Sequence, residues 1–235
     1  MSSNIIAMIP ARIGSTRLKM KNLALLNGKP MIYYAIKAAL DANVFDKVII
    51  NSDSEIFKEI ANRYGVDFYL RPKELGGSNI KSDDVVLDFI NKNGSEIVTW
   101  VNTISPLQTS KDIRKAVKHF KNNDFNSLIT VVERQVHCVH NNHPINFKPD
   151  GKFEQTQDLS PIQEMVYSIM MWTTSSYLKA MKKQGSAILH GKVCYYPIDK
   201  IKSVIIKNKN DFKMVESIIK ANASEDNEIK YDKLS

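Results

Sequence analysis

Short apolar runs alternate along this chain with longer segments whose apolar residues recur at helical spacing, and that alternation narrows the possible folds more than any other feature. The runs at residues 5–9, 47–51, 67–70, 97–102, 127–132, 165–172 and 204–206 predict strands. Residues 31–42, 54–64, 82–92, 111–122, 175–183 and 210–221 predict the helices between them. Strands joined through helices of this length pair mostly in parallel, because each crossover returns the chain to the same end of the sheet. The expected fold is α/β: a doubly wound, mostly parallel sheet covered by helices on both faces. With 235 residues, 43% of them apolar, the chain has enough core for one domain with an excursion. We assign residues 1–222 to that domain and the polar residues 223–235 to a C-terminal tail.

The alternation fails at residues 136–163, "VHCVHNNHPINFKPDGKFEQTQDLSPIQ". A segment of this length without helical periodicity is either a mobile loop or an arm that packs on something else.

The formal net charge of +8 favours polyanionic partners. Some of the excess lies in "KAVKHFKNN" and "KIKSVIIKNKNDFK", which read as solvated faces. Zinc-finger spacing, a helix-turn-helix and a base-stacking aromatic sheet motif are all missing, so nucleic acid is not the expected partner. No apolar run approaches the roughly 20 residues that span a bilayer. The start "MSSNIIAMIPAR" lacks the features of a signal peptide, and a cytoplasmic location without membrane partners is the expectation. Cys138 and Cys194 stand apart from each other and from any CxxC pair, which suits buried or idle thiols.

Doubly wound sheets bind ligands beyond the carboxyl ends of their strands. At the end of the first strand the chain carries "RIGSTRLKMK", residues 12–21. Neither GxxxxGK[ST] nor GxGxxG is present, so the donors must act in another way. Gly14 would let backbone approach a phosphate closely, while Ser15 and Thr16 offer hydroxyl and amide donors. Arg12, Arg17, Lys19 and Lys21 bring charge suited to a triphosphate and a departing pyrophosphate. The alternative is a surface loop that is merely basic.

This stretch extends to "IPARIGSTRLKMKNLALLNGKPMIYYAI" and is followed by "VIINSDSEIFKEIANRYGVDFYLRPKEL", "SDDVVLDFI", "NTISPLQTSKDIRKAV" and "NDFNSLITVVE". In order and spacing these segments resemble the sugar-acid cytidylyltransferases, which make CMP-acylneuraminate and, more distantly, CMP-Kdo. The resemblance implies a Rossmann-like nucleotidyltransferase fold that transfers CMP from CTP to the hydroxyl of a nonulosonate-like sugar acid, releasing pyrophosphate. Surface polysaccharide or glycoconjugate synthesis is the implied setting. A phosphonate or sugar-phosphate acceptor, or a catalytically silent nucleotide-binding relative, are the alternatives. CTP and a small acidic acceptor are the implied partners, with a second copy joined through an arm at residues 136–163.

Position by position, the resemblance makes Lys21 and Arg12 the catalytic cations. It places Ala11, Arg12, Gly14, Ser15, Lys21, Asn22, Arg71 and Ser82 at the nucleotide, the last two at cytosine, and Asn102 at the acceptor. By residue type alone Arg71, before a proline, could equally cap a strand end. Asp53 in "NSDS" either supports the first loop or N-caps the next helix.

The chain also departs from the family pattern. Ile205 and Lys207 stand where relatives carry two aspartates that hold Mg²⁺, and "NTISPL" replaces the Gly-Asp pair of the Kdo branch. Isoleucine cannot ligate a hard cation, so Mg²⁺ is expected to enter with CTP, and its protein ligands are unassigned. Lys207 either replaces part of the metal's charge or points into solvent, and Asp211 is an indirect partner, or a cap or first-turn residue of the helix. Met165, Val166 and Tyr167 occupy a Glu-Asn-Gly position, which leaves the acceptor open. Met170, Met171 and Trp172 line a pocket or fill the core.

Overall fold

The computed structural model describes residues 4–15 and 17–222, so the expected C-terminal tail lies outside the described residues. Seven strands form one sheet: β1 (Ile5–Ala11), β2 (Lys47–Ser52), β3 (Asp67–Leu70), β4 (Ile97–Val101), β5 (Ser127–Arg134), β6 (Ile162–Thr173) and β7 (Val193–Pro197). Their order across the sheet is β7-β5-β6-β4-β1-β2-β3. Every neighbouring pair is parallel except the two made by β6, which runs antiparallel to β4 and β5. The helices are α1 (Ile32–Ala42), α2 (Ile56–Tyr64), α3 (Ser82–Asn93), α4 (Ser110–Lys121), α5 (Thr174–Gln184) and α6 (Lys209–Asn222). The doubly wound α/β fold read from the sequence is the fold found.

Strand β1 shows why both faces are covered. Successive side chains point to opposite sides of a sheet, and here both sides are apolar. Ile5, Ala7 and Ile9 pack with Ile36 of α1, Phe57 of α2 and Phe120 of α4. Ile6 and Met8 pack on the other side with Phe89 of α3, Trp172 of β6 and Tyr177 of α5. A smaller cluster of Leu26, Met31, Ile206 and Val215 seats α6 beside the residues that follow the first loop.

Two expectations need correction. Residues 204–206 form no strand of the sheet; Ile206 N–H donates instead to the Ile104 carbonyl at 2.8 Å, laying this extended piece across the loop after β4. Val204 and Ile206 pack into the small cluster beneath α6, which is why a strand-like pattern appears without strand pairing. The edge strand is β7, "VCYYP", paired in parallel with β5. Strand β6 is longer than its apolar run and is interrupted by an irregularity between Met165 and Met170, where Tyr167 adopts a φ of 29°.

The excursion between β5 and β6 has its own order. A short hairpin pairs Val139–His140 with His143–Pro144. Asn146 clasps the segment: its side chain accepts from Cys138 N–H and donates to the carbonyls of Val136 and Ser160, each at 2.9 Å. Val139, Ile145 and Phe153 on the excursion stay exposed.

Candidate active site

The buried strand β1 delivers the chain to the carboxyl edge of the sheet at Ala11, and the loop that follows is held from beneath by a carboxylate. Asp53, just past the end of β2, accepts from Ile13 N–H at 3.1 Å and pairs with the buried Arg71 guanidinium at 3.8 Å. Asp53 therefore takes the supporting role; the N-cap of α2 is Glu55. Gly76 packs so tightly on Asp53 that an added Cβ would lie 2.1 Å from its Oδ2. The buried Asn22 donates from Nδ2 to the Arg12 carbonyl at 3.2 Å, closing the far side of the loop. Lys21 opens a short 3-10 turn, Lys21–Leu23, and donates from Nζ to the Ile206 carbonyl at 3.1 Å.

These contacts shape a cleft of about 290 Å³ beyond the ends of β1 and β4. Seven residues assigned from sequence meet there: Arg12, Ser15, Lys21, Asn22, Arg71, Ser82 and Asn102. Arg17 and Lys207 line it too. Ala11 and Gly14 do not: the Ala11 side chain is packed in the core, and Gly14 is exposed with nothing within 4 Å of an added Cβ. Lys19 is exposed and also lies off the lining, while Thr16 lies outside the described residues. Both ends of the Asn102 amide already serve the protein. Its Nδ2 donates to the Tyr167 carbonyl at 2.9 Å and its Oδ1 accepts from Ile104 N–H at 3.3 Å, leaving one N–H and one lone pair for a ligand.

The cleft is electropositive, and Lys21 registers this. Burial pulls its pKa from 10.5 to about 8, with the Arg17 and Arg12 guanidiniums adding to the effect and Asp211 opposing it. Burial likewise works against the charge on Arg71, with Asp53 in opposition. Arg71 is only 4% exposed, donates from Nη1 to the Asn51 carbonyl at 3.4 Å, and leaves its Nε without a partner. An arginine held this way at a cleft wall is pre-set to donate to a ligand.

The profile of the cytidylyltransferase family matches residues 6–167. The chain belongs to that family. The N-acylneuraminate cytidylyltransferase of Streptococcus agalactiae serotype V is 28% identical over 217 residues, covering 88% of this chain and 51% of that protein. Its namesake from Escherichia coli O18:K1:H7 is 39% identical over 122 residues, 52% of this chain and 29% of that protein. This cytidylyltransferase-family chain thus spans about half the length of the first relative or less of the second. A Campylobacter coli post-translational flagellin modification protein B matches nearly end to end, 26% identical over 93% of this chain and 96% of its own. Among solved structures, CMP:2-keto-3-deoxy-manno-octonic acid synthetase complexed with CTP superposes with a TM-score of 0.73 at 13% identity, over 94% of this chain and all of that one. At that identity the likeness speaks for the fold alone.

Family members are expected to use Mg²⁺, and the residues present do not fit a protein-held ion. A hard divalent cation needs several oxygen donors, yet no carboxylate lines the cleft, and no group of three or more His, Cys, Asp or Glu among the described residues could hold a metal. Asp211 is a first-turn residue of α6 that completes the cap made by Asn208: its Oδ2 accepts from Lys207 N–H at 2.7 Å and Asn208 N–H at 2.9 Å, while Asn208 Oδ1 accepts from Asp211 N–H at 3.1 Å.

Sequence reading missed part of the lining. Trp100 lines the cleft with its indole N–H buried and unpartnered; its place two residues before Asn102, on the same face of a strand, was the available signal. Ser78 and Ile80 come from the "GGSNI" turn after the short Lys73–Gly76 helix, where the Gly-Gly pair marked only a loop. Met170, Met171 and Trp172 proved to be core.

Proposed function

We propose that this chain is a CTP-dependent nucleotidyltransferase that moves CMP to the hydroxyl of a small acidic acceptor of the nonulosonate class. The observation that carries the reading is the convergence of Arg12, Arg17, Lys21 and Lys207 on one cleft that also holds Arg71 and Ser82. The cations suit a triphosphate, and the buried guanidinium with the hydroxyl at the start of α3 suits the O2 and amino group of cytosine.

In this reading the acceptor hydroxyl attacks the α-phosphorus in line. A bond forms between its oxygen and phosphorus, the bond to the bridging oxygen breaks, and pyrophosphate departs with the electron pair. Negative charge shifts toward the leaving group, where Lys21 and Arg12 stabilise it more in the transition state than in the bound substrate. Among the described residues that line the cleft there is no carboxylate or histidine to act as general base, and in this reading water takes the hydroxyl proton. Positioning carries the rest, with Asn22 and Asp53 holding the first loop in place. Magnesium, if it accompanies CTP, belongs to the substrate in this account.

The N-acylneuraminate cytidylyltransferase relatives support the acceptor class, and the flagellin modification relative supports a glycoconjugate as its destination. Self-association through the excursion is part of the same proposal, supported by its exposed apolar side chains. Pyrophosphate release from CTP, measured with a panel of nonulosonic acids, Kdo, phosphonates and sugar phosphates, tests the reading. Stoichiometric CMP-conjugate with an acidic sugar is the expected product. CTP binding without pyrophosphate release for any acceptor would instead favour a silent nucleotide-binding relative.

A further inference from the structure

Among the described residues, every charged side chain that lines the cleft is a cation: Arg12, Arg17, Lys21, Arg71 and Lys207. Two carboxylates beside its walls are already committed. Asp53 holds Ile13 N–H and Arg71, and Asp211 holds the amides of Lys207 and Asn208. A site built for a divalent ion would show the opposite composition.

The backbone at Lys207 is held from both sides. The preceding residue, Ile206, is fully buried, and its N–H and carbonyl bond to the Ile104 carbonyl and to Lys21 Nζ. On the other side Asp211 anchors the Lys207 amide itself. The side chain is exposed at the cleft, and its ammonium makes no hydrogen bond or ion pair with any of the described residues. Backbone order with a free charged end suits a group that waits for an anion.

We propose that Lys207 supplies, as a placed ammonium, the countercharge at the phosphates that a protein-held divalent ion would otherwise supply, so that the chain grips a triphosphate without a metal site of its own. The proposal rests on the reading of the cleft as a nucleotide site. An ammonium on a flexible stem can follow a phosphate through small changes of position, which a coordination shell cannot do. The cleft holds this excess charge at a cost that a polyanion relieves; at Lys21, burial above all, and then the Arg17 and Arg12 guanidiniums, work against the ammonium.

Calorimetric titration of CTP and CMP into the full chain, in EDTA and then in excess magnesium, tests this. The wild type should bind CTP in EDTA within about fivefold of its affinity in magnesium. Lys207→Ala should weaken CTP binding in EDTA by about tenfold or more, as expected for loss of a charge-assisted contact, and magnesium should recover part of that loss. CMP, with fewer phosphate charges, should be affected less. Lys207→Arg should resemble wild type and Lys207→Gln should resemble Lys207→Ala. Lys209→Ala, exposed on α6 and off the lining, should change nothing. Because Lys207 is exposed, circular dichroism should show every variant folded. Wild-type CTP binding that requires magnesium would overturn the proposal and leave the nucleotide reading standing. Equal CTP affinity of wild type and Lys207→Ala in EDTA would do the same. No CTP binding under either condition would overturn both.

Discussion

Lys21 sits where burial and two guanidiniums work against its charge. Its folded pKa of about 8 lies below the ordinary 10.5, so between those values the unfolded chain binds more protons than the folded one. Stability from this group therefore rises as pH climbs from about 8 toward 10.5. Phosphate binding reverses the balance by favouring the ammonium. The Lys21 contribution to CTP affinity should be flat below pH 8 and fall above it, by up to about tenfold per pH unit, with proton uptake on binding. Titrations in buffers of different ionisation enthalpy measure that uptake, which Lys21→Ala should abolish. At the same scale, Gly76 is where the loop support is least tolerant. A Cβ there meets the Oδ2, Cγ and Cβ of Asp53, whose carboxylate is tied to Ile13 and Arg71. Gly76→Ala should cost about 1–3 kcal/mol in denaturant melts, and should weaken CTP binding by freeing the first loop.

Among the elements, the excursion is the least conventional, and one side chain accounts for much of its order. Removing the Asn146 amide leaves Cys138 N–H and the carbonyls of Val136 and Ser160 without their partner. Asn146→Ala should speed amide exchange across residues 136–160 by about tenfold or more while the sheet keeps its protection. Uniform exchange rates in mutant and wild type would mean that other contacts order the segment. The sequence could signal the excursion only as a break in periodicity, because its order comes from side chain to backbone bonds between residues about ten apart. The same limit explains the misread strands. β7, "VCYYP", carries exposed tyrosine and a terminal proline, and its pairing with β5 cannot be seen locally. The "SVII" before Lys207 has strand-like residues, but packing beneath α6 claims Val204 and Ile206. The inner strands were legible because both of their faces are buried, which leaves unbroken apolar runs.

For the whole molecule, the apolar side chains left exposed on the excursion and along the start of β6, among them Phe153 at 79% exposure, argue for a covered surface. Light scattering at micromolar concentration should report a dimer, and Phe153→Asp should shift it toward monomer. A monodisperse monomer for the unaltered chain would remove self-association from the account. Seven of the residues assigned from sequence line one cleft, so their convergence was legible in the motif. What the sequence could not show was that Asn102 is mostly occupied by backbone, that Trp100 lines the wall, and that Lys207 joins the same cations. Each of these depends on contacts between β4, β6 and the segment before α6. A crystal structure of the chain grown with CTP tests the account most directly. It predicts the triphosphate among Arg12, Lys21 and Lys207, with cytosine against Arg71 and Ser82. Nucleotide bound outside this cleft, or reversed within it so that the phosphates meet Arg71 and the base meets Lys21, would contradict it.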